Sequence, residues 1–568
     1  MKYTDMMKHK IWLILSVVWF VQTPIIAQYQ ERVYLQTDKQ LYLSGELLWL
    51  KLYTTNEEGE LLSLSKIGYV ELIHDSIPEI QIKIDIRDGT GAGWMELPAM
   101  LPTGYYRMIA YTRYMRNEGE PAFFEKLIAI VNPFHQDNEL YADETNTPFT
   151  FQPIAKNNTG LEISTDKPLY TTRDNGTIRI KGLPVENISL GISIAGIDPV
   201  LVTDMANEET GINGWKNQLS GESTSLSNQR LLPEYEGAII DGVLIDLETG
   251  NPADTPNEAN LLSFPGQEIQ LFAGQTDKQG NVTFYTQCVT GKQELTTTAI
   301  ASSGKKYRID ILSPYAAHAP KPLPLFKPDS TWLNYLQQRN LAVQVTHAFL
   351  ADSLSIIQKI TPCTNYRPYS RYELDEYTRF PNMEEVFIEF ITFAGIRRTN
   401  EGRRFSMINE SFNGYTSNVL VLLDNIPVAD HELMSKYNPL LIKTIELHIG
   451  RYIFSSVLFE GIIAFYSYKN DYPGITFSEN TQIYDYEGAQ PYRYFYSPDY
   501  SESSAYSRMP DFRHTLLWEP STQSYGRDEL TIPFTTSDIP GRYVITVEGI
   551  GEKGTRIRAI HSFEVNTP

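Results

Sequence analysis

Two copies of one phrase, set 128 residues apart, constrain this chain more than any other feature. "YLQTDKQLYLSGE" begins at Tyr34 and "EISTDKPLYTTRD" begins at Glu162. Both hold Thr-Asp-Lys-x-Leu-Tyr, so Asp38 matches Asp166 and Tyr42 matches Tyr170. The offset is too long for one solenoid turn and suits a domain in tandem. Each copy reads as strand, turn, strand. After the first comes "ELLWLKLYTTN", whose alternation and β-formers suit a half-buried strand.

A second echo supports the same architecture. "GWMELPAMLPTGYYRMIAYT" places Pro102 and Gly104 at a turn before an aromatic-led strand, and "LTIPFTTSDIPGRYVITVEGI" repeats this with Pro540, Gly541 and Tyr543. Between them, Gly237, Gly242, Gly250 and Gly280 punctuate short strands from about Tyr235 to Pro314. The predicted fold is mainly β, with tandem sandwiches at 28–136, 150–230 and 235–314 and a sandwich-like end at 480–568. Residues 315–380 read as a linker containing a helix: "PYAAHAPKPLPLFKP" is extended, and a helical period interrupted by Val and Thr follows.

Residues 1–27 have the order of a secretory signal peptide: Lys8, His9 and Lys10, an apolar run from Ile11 to Val21, and small Ala27 before Gln28. That run is shorter than the ~20 residues that cross a bilayer, and no later segment resembles a transmembrane helix. The net charge of −21 argues against nucleic acid and anionic membranes as partners. Cys288 and Cys363 are the two cysteines, placed in different modules. An oxidising compartment would permit a disulfide, and two separate thiols fit as well.

From Met383 the pattern turns to mixed α and β. "VLVLLDNIPVA" gives a hairpin about Asp424-Asn425, a pair that tolerates positive φ. Asp430 can cap a short helix that stops before Pro439. "IKTIELHIG" alternates, and "GIIAFYSYK" supplies a last strand. Together, "DNIPVA", "NPLLIKTIEL" and "FEGIIAFYSY" resemble the plug of TonB-dependent outer-membrane receptors over residues 383–470. The wider order, with "ERVYLQTDKQLYLSGELLWLKLY" first and "FTTSDIPGRYVITVEGI" last, resembles a Bacteroidetes family of exported proteins. That family joins macroglobulin-type (MG2-like) sandwiches, a carboxypeptidase-regulatory-like domain at 235–314 and a plug-like domain. Asn425 departs from the family's usual glycine, and no TonB-contacting box follows the signal peptide. A receptor barrel needs about twenty strands of ten residues. Lys469 is followed by 99 residues, so an α+β plug-like domain without a barrel is expected.

Chemical motifs are sparse. The nine histidines are scattered, and His431-Glu432 opens a zinc-type string that Ser435 breaks. Neither cysteine has the glutamine three residues on that a macroglobulin thioester uses. No catalytic, cofactor or metal residue is therefore assigned, and the chain is expected not to be an enzyme. Two patches are candidates for partner binding. Arg397, Arg398, Arg403 and Arg404 cluster in an acidic chain, where guanidinium forks suit an acidic partner. Tyr492, Tyr494 and Tyr496 suit either a contact surface or a strap across a neighbouring sandwich, and their alternation favours the strap. The expected role is an exported envelope scaffold or binding protein, in the periplasm or at the outer membrane, presenting the plug-like domain to an outer-membrane or envelope protein. The alternatives are an accessory of TonB-dependent import that pairs with a separate barrel, and a hydrolase.

Overall fold

The computed structural model describes residues 30–133, 160–198, 230–254, 259–300, 305–324, 332–354, 357–358, 366–400, 402–409, 414–498, 500 and 509–567. The signal-peptide reading lies outside them, as do Cys363 and most of 199–230. The protein is mainly β: the described strands form eight open sheets, none closed into a barrel.

The phrase shared by the two copies does the same work in each. In the first, strand Arg32–Thr37 lies in a three-stranded sheet beside Leu47–Thr55 and Thr90–Glu96. The chain then crosses, and Leu41–Leu43 joins a five-stranded sheet through a parallel pair with Phe124–Val131. The crossover is pinned by Asp38, whose Oδ1 accepts from the Tyr42 hydroxyl at 2.7 Å and the Trp49 N–H at 3.1 Å. In the second copy Asp166 Oδ1 accepts from Tyr170 at 2.8 Å and the Thr177 N–H at 2.6 Å. Thr37 and Thr165 hydroxyls each donate to the carbonyl two residues on, both at 2.7 Å. The Pro/Gly echo is equally concrete. Tyr106 donates to Pro102 O at 2.8 Å and Tyr543 to Ile539 O at 2.9 Å, the bond that locks a sandwich corner.

The second copy and the second echo belong to one sandwich, and here the expected boundaries are corrected. Ile188–Gly196 pairs on one side with Gly541–Gly551 and on the other with Thr515–Gln523. Asn175–Lys181 pairs with Glu529–Thr535, and Leu169–Thr171 runs parallel to Arg556–Asn566. The segment expected as a separate module at 480–568 is thus the missing half of the one begun near residue 160. An isolated half would leave Ile188, Leu190, Ile192 and Ile194, all fully buried, facing water.

The third sandwich is split in the same way. Six of its strands lie between Ile239 and Ile311, and its seventh, Thr481–Glu487, returns to the edge of Lys292–Ile300. The chain is therefore nested: the mixed module interrupts the third sandwich, which interrupts the second. The segment expected as a free linker is docked. Tyr315 packs edge-on against Tyr69, and Arg116 donates to Pro314 O at 2.8 Å. Helix α1 (Leu333–Leu354) covers Leu41, Leu43 and Val131 with Leu336 and inserts Arg339 between the first two sandwiches.

His318 fastens that docked segment. Its side chain is 3% exposed, with Nε2 at 2.8 Å and Nδ1 at 3.3 Å from Glu71 and Glu120. Burial alone would lower its pKa, but the bond to Glu71 and the charges of Glu71 and Glu120 prevail and raise it above 6.5. A raised value means stabilisation that is complete below the ordinary histidine pKa and fades as pH climbs through the folded one. Residues 313–319 should therefore exchange amide hydrogens faster at about pH 8.5 than at about pH 6, after correction for intrinsic rates. His318→Gln should abolish that difference. An unchanged difference would contradict the assignment.

Candidate functional site

The mixed module consists of a five-stranded sheet, a three-stranded sheet and two short helices. In the larger sheet the order is Ser370–Glu373, Ile442–Phe454, Val457–Ser467, Leu420–Leu423, Ile426–Pro427, with one parallel pair between Leu420–Leu423 and Val457–Ser467. Helices α2 (Met383–Glu389) and α3 (His431–Ser435) begin at Asn382 and Asp430, whose side chains accept from Glu385 N and Leu433 N. Val421, Leu423, Ile445, Leu447 and Phe465 pack beneath them. The opposite face, with Leu420, Leu422, Ile462 and Ala464, packs on Leu261 and Leu271 of the third sandwich. Glu446 and His448, on the polar face of an alternating strand, are buried for that reason.

The hairpin at Asp424-Asn425 forms with both residues at positive φ, 48° and 71°. It is not a presented tip. Asn425 Nδ2 donates to Phe264 O at 3.3 Å and Gly266 O at 3.1 Å, with Glu268 O a third acceptor. Asp424 accepts from Ser467 N and Oγ, each at 2.7 Å. Asparagine here supplies side-chain donors that glycine lacks, which accounts for the departure noted in the sequence.

The four arginines come together on one hairpin, strands Ala394–Thr399 and Gly402–Asn409. Arg397 stands opposite Arg404, and Arg398 opposite Arg403. Like charges directly across a ladder destabilise it. Arg403 is neutralised by Glu384 at 2.9 Å and Glu432 at 3.0 Å. Bonds from Lys436 and the Arg403 N–H pull Glu432 down to about 2. Beneath, burial with Arg404 nearby holds His431 at about 4, so the ring stays neutral and its Nδ1 accepts from Phe405 N. Arg397 and Arg398 point to solvent.

Arg397 lies over the Tyr415 ring, 4.4 Å from its centre. Just before the strand that carries Arg397, Phe393, at φ 70° and 39% exposed, meets Tyr369, 53% exposed, their rings edge-to-face at 5.3 Å. A phenylalanine at positive φ is strained backbone, and such strain concentrates at functional positions. Exposed arginine interleaved with tyrosine and phenylalanine is the composition of an interface hot spot. Sequence reading missed Phe393, Tyr369 and Tyr415, since the fold alone brings Tyr415 over Arg397 and Tyr369 against Phe393.

The tyrosine run is a strap. Tyr484 and Tyr486 pack on the third sandwich. Gln490 then donates to Trp94 O at 2.9 Å and accepts from Trp94 N at 3.2 Å, and Arg493 lies 4.4 Å over the Trp94 ring. Tyr492 O accepts from Gln358 N at 2.8 Å, and the Tyr492 ring meets Tyr494 at 5.0 Å. Tyr494 is exposed, whereas Tyr492 and Tyr496 are half-buried. The three tyrosines are therefore not brought to the arginine face. Among the described residues no group of three or more His, Cys, Asp or Glu side chains could hold a metal. Cys288 is disulfide-bonded, and Cys363 is the one other cysteine in the sequence.

No family model matches the chain, and no curated protein matches it. Among solved structures it is similar to Escherichia coli alpha-2-macroglobulin activated by porcine elastase, at 10% identity over 95% of this chain and 44% of that one, TM-score 0.23. Salmonella alpha-2-macroglobulin reacted with methylamine gives 10% identity over 95% and 40%, TM-score 0.23. An Escherichia coli adhesin gives 10% over 50% and 64%, TM-score 0.14. The chain thus spans less than half the length of the macroglobulins it matches.

Proposed function

We propose that this protein is an exported, non-enzymatic scaffold of the cell envelope that holds an acidic envelope or outer-membrane protein on the basic hairpin of its mixed module. The observation that carries the reading is the exposure of Arg397 and Arg398 side by side on one strand, in a chain of net charge −21. Two adjacent exposed guanidinium groups offer an acidic partner oriented, charge-assisted hydrogen bonds. The Cys288 disulfide supports an oxidising, exported setting. The plug-like identity of the module and the Bacteroidetes family rest on the sequence resemblance, and the mixed sheet with its Asp-Asn hairpin is consistent with both.

Crosslinking in an envelope fraction tests the reading. The native chain should capture a discrete partner, and Arg397→Glu with Arg398→Glu should reduce capture by more than tenfold, given the usual weight of arginine at interface centres. Capture indifferent to both reversals would refute it. The same experiment addresses the import reading, because a captured β-barrel protein would make this chain its accessory.

A further inference from the structure

The basic hairpin has one edge with which no other described strand pairs. Register identifies it. Thr399 and Gly402 close the hairpin, and Ile408 N–H donates to Phe393 O at 2.8 Å. Inward-bonded pairs therefore fall at Thr399, Arg397, Gly395 and Phe393, and the intervening residues turn their N–H and C=O groups outward. On the second strand those outward groups are met: Arg403 N–H by Glu432 at 2.6 Å, Phe405 N–H by His431 at 3.3 Å, and Met407 by strand Gly414–Thr416. On the first strand, which ends the sheet, the outward groups belong to Ala394, which is buried, and to Ile396 and Arg398 nearer the tip. A Cβ added at Gly395 would meet nothing within 4 Å, so the sheet face that Gly395 shares with Arg397 is open at that position.

We propose that this edge takes a further strand: an extended segment of the partner pairs with Ile396 and Arg398 through main-chain hydrogen bonds, while Arg397 and Arg398 bind its carboxylates. This deepens the reading above and rests on the hairpin being the binding face. Strand addition to a sheet edge draws affinity from the backbone and specificity from alternate side chains. Arg397 and Arg398 are consecutive and point to opposite faces, so each face of the incoming strand needs one carboxylate beside them. The segment preferred is therefore two adjacent acidic residues flanked by β-branched ones. A second copy of this chain is a poor occupant, because edge-to-edge pairing would set arginine against arginine. Charge on an edge strand keeps like edges apart, and by the same physics it admits an acidic one.

The probe is a labelled hexapeptide, Thr-Val-Glu-Glu-Val-Thr, titrated into the full chain by fluorescence anisotropy. Two backbone-blocked versions carry N-methyl groups on the odd or on the even residues. Only one face of a strand's backbone meets the edge, so one version should lose at least tenfold in affinity while the other binds nearly as the parent. Separating the glutamates by one residue should weaken binding. Amide exchange at Ile396 and Arg398 should slow on binding while that at Arg397 stays as it was. If both methylated peptides bind like the parent, the contact is electrostatic without strand addition, and the inference is overturned. If no peptide binds while envelope capture still depends on Arg397 and Arg398, the inference again fails and the broader reading stands. Thermal unfolding of the charge-reversed variant at the native temperature excludes a folding defect as the cause.

Discussion

A chain ended at residue 508 is expected to lose its second sandwich entirely. The strand Ile188–Gly196 would be stripped on both sides, since Thr515–Gln523 and Gly541–Gly551 are its two neighbours. Ile188, Leu190, Ile192 and Ile194 would face water at about 1.5–3 kcal/mol each. Together that is on the order of 10 kcal/mol, comparable to the whole stability of a domain. The first sandwich would suffer as well. Tyr34 donates to Glu548 at 2.7 Å, and Thr515 donates to Asp38, the anchor of the first crossover, at 2.8 Å. Limited proteolysis should cut the truncated chain within residues 160–198. Residues 509–568 added as a separate polypeptide should restore protection. Protection of 160–198 without them would show that the half-sandwich stands alone and would contradict the nested arrangement.

The second large effect is expected at Arg339. Its side chain, 2% exposed, reaches Glu46 through Nε at 3.1 Å and Nη2 at 3.0 Å, donates to Leu41 O at 3.1 Å and meets Asp198 through Nη1. One guanidinium thus joins helix α1 to the first sandwich and to the strand end of the second. Burial pushes Asp198 up, while Glu46 is held low because Arg339 and Lys39 outweigh its burial. Removing the guanidinium leaves buried Glu46 with Lys39, at 2.9 Å, and buried Asp198 with the Tyr335 hydroxyl, so Arg339→Ala should cost about 3–5 kcal/mol in urea unfolding. In a Glu46→Gln, Asp198→Asn background the same substitution should cost much less, because no charge is then stranded. Arg339→Lys should recover part of the loss, since one ammonium cannot serve three acceptors in the guanidinium's planar geometry. Equal losses in both backgrounds would show that packing, and not charge, is what Arg339 supplies.

The candidate site was half legible in the same sense. A run of four arginines is visible in any printed sequence, and so is an alternating row of tyrosines. That Arg403 is neutralised by Glu384 and Glu432 while Arg397 and Arg398 reach solvent depends on helices α2 and α3 folding back beside the hairpin. The alternation of the tyrosines favoured a strap over a contact surface, but it could not say what the strap lies on. The strap follows from Trp94 standing where Gln490 and Arg493 can reach it, and Trp94 lies almost four hundred positions earlier in the chain.

Local physics was written in the residues. The Asp-Tyr bond of each crossover spans four positions, the tyrosine corners span four, and the caps at Asn382 and Asp430 span three. Each is therefore set by neighbours along the chain. Partnership between strands was not. Alternation with period two tells which side of a strand seeks an apolar neighbour, yet every half-buried strand offers the same invitation. Tertiary packing alone decided that the repeat near residue 162 is completed by residues 515–566, and that a sequence resembling four beads in a row closes as one sandwich nested around another.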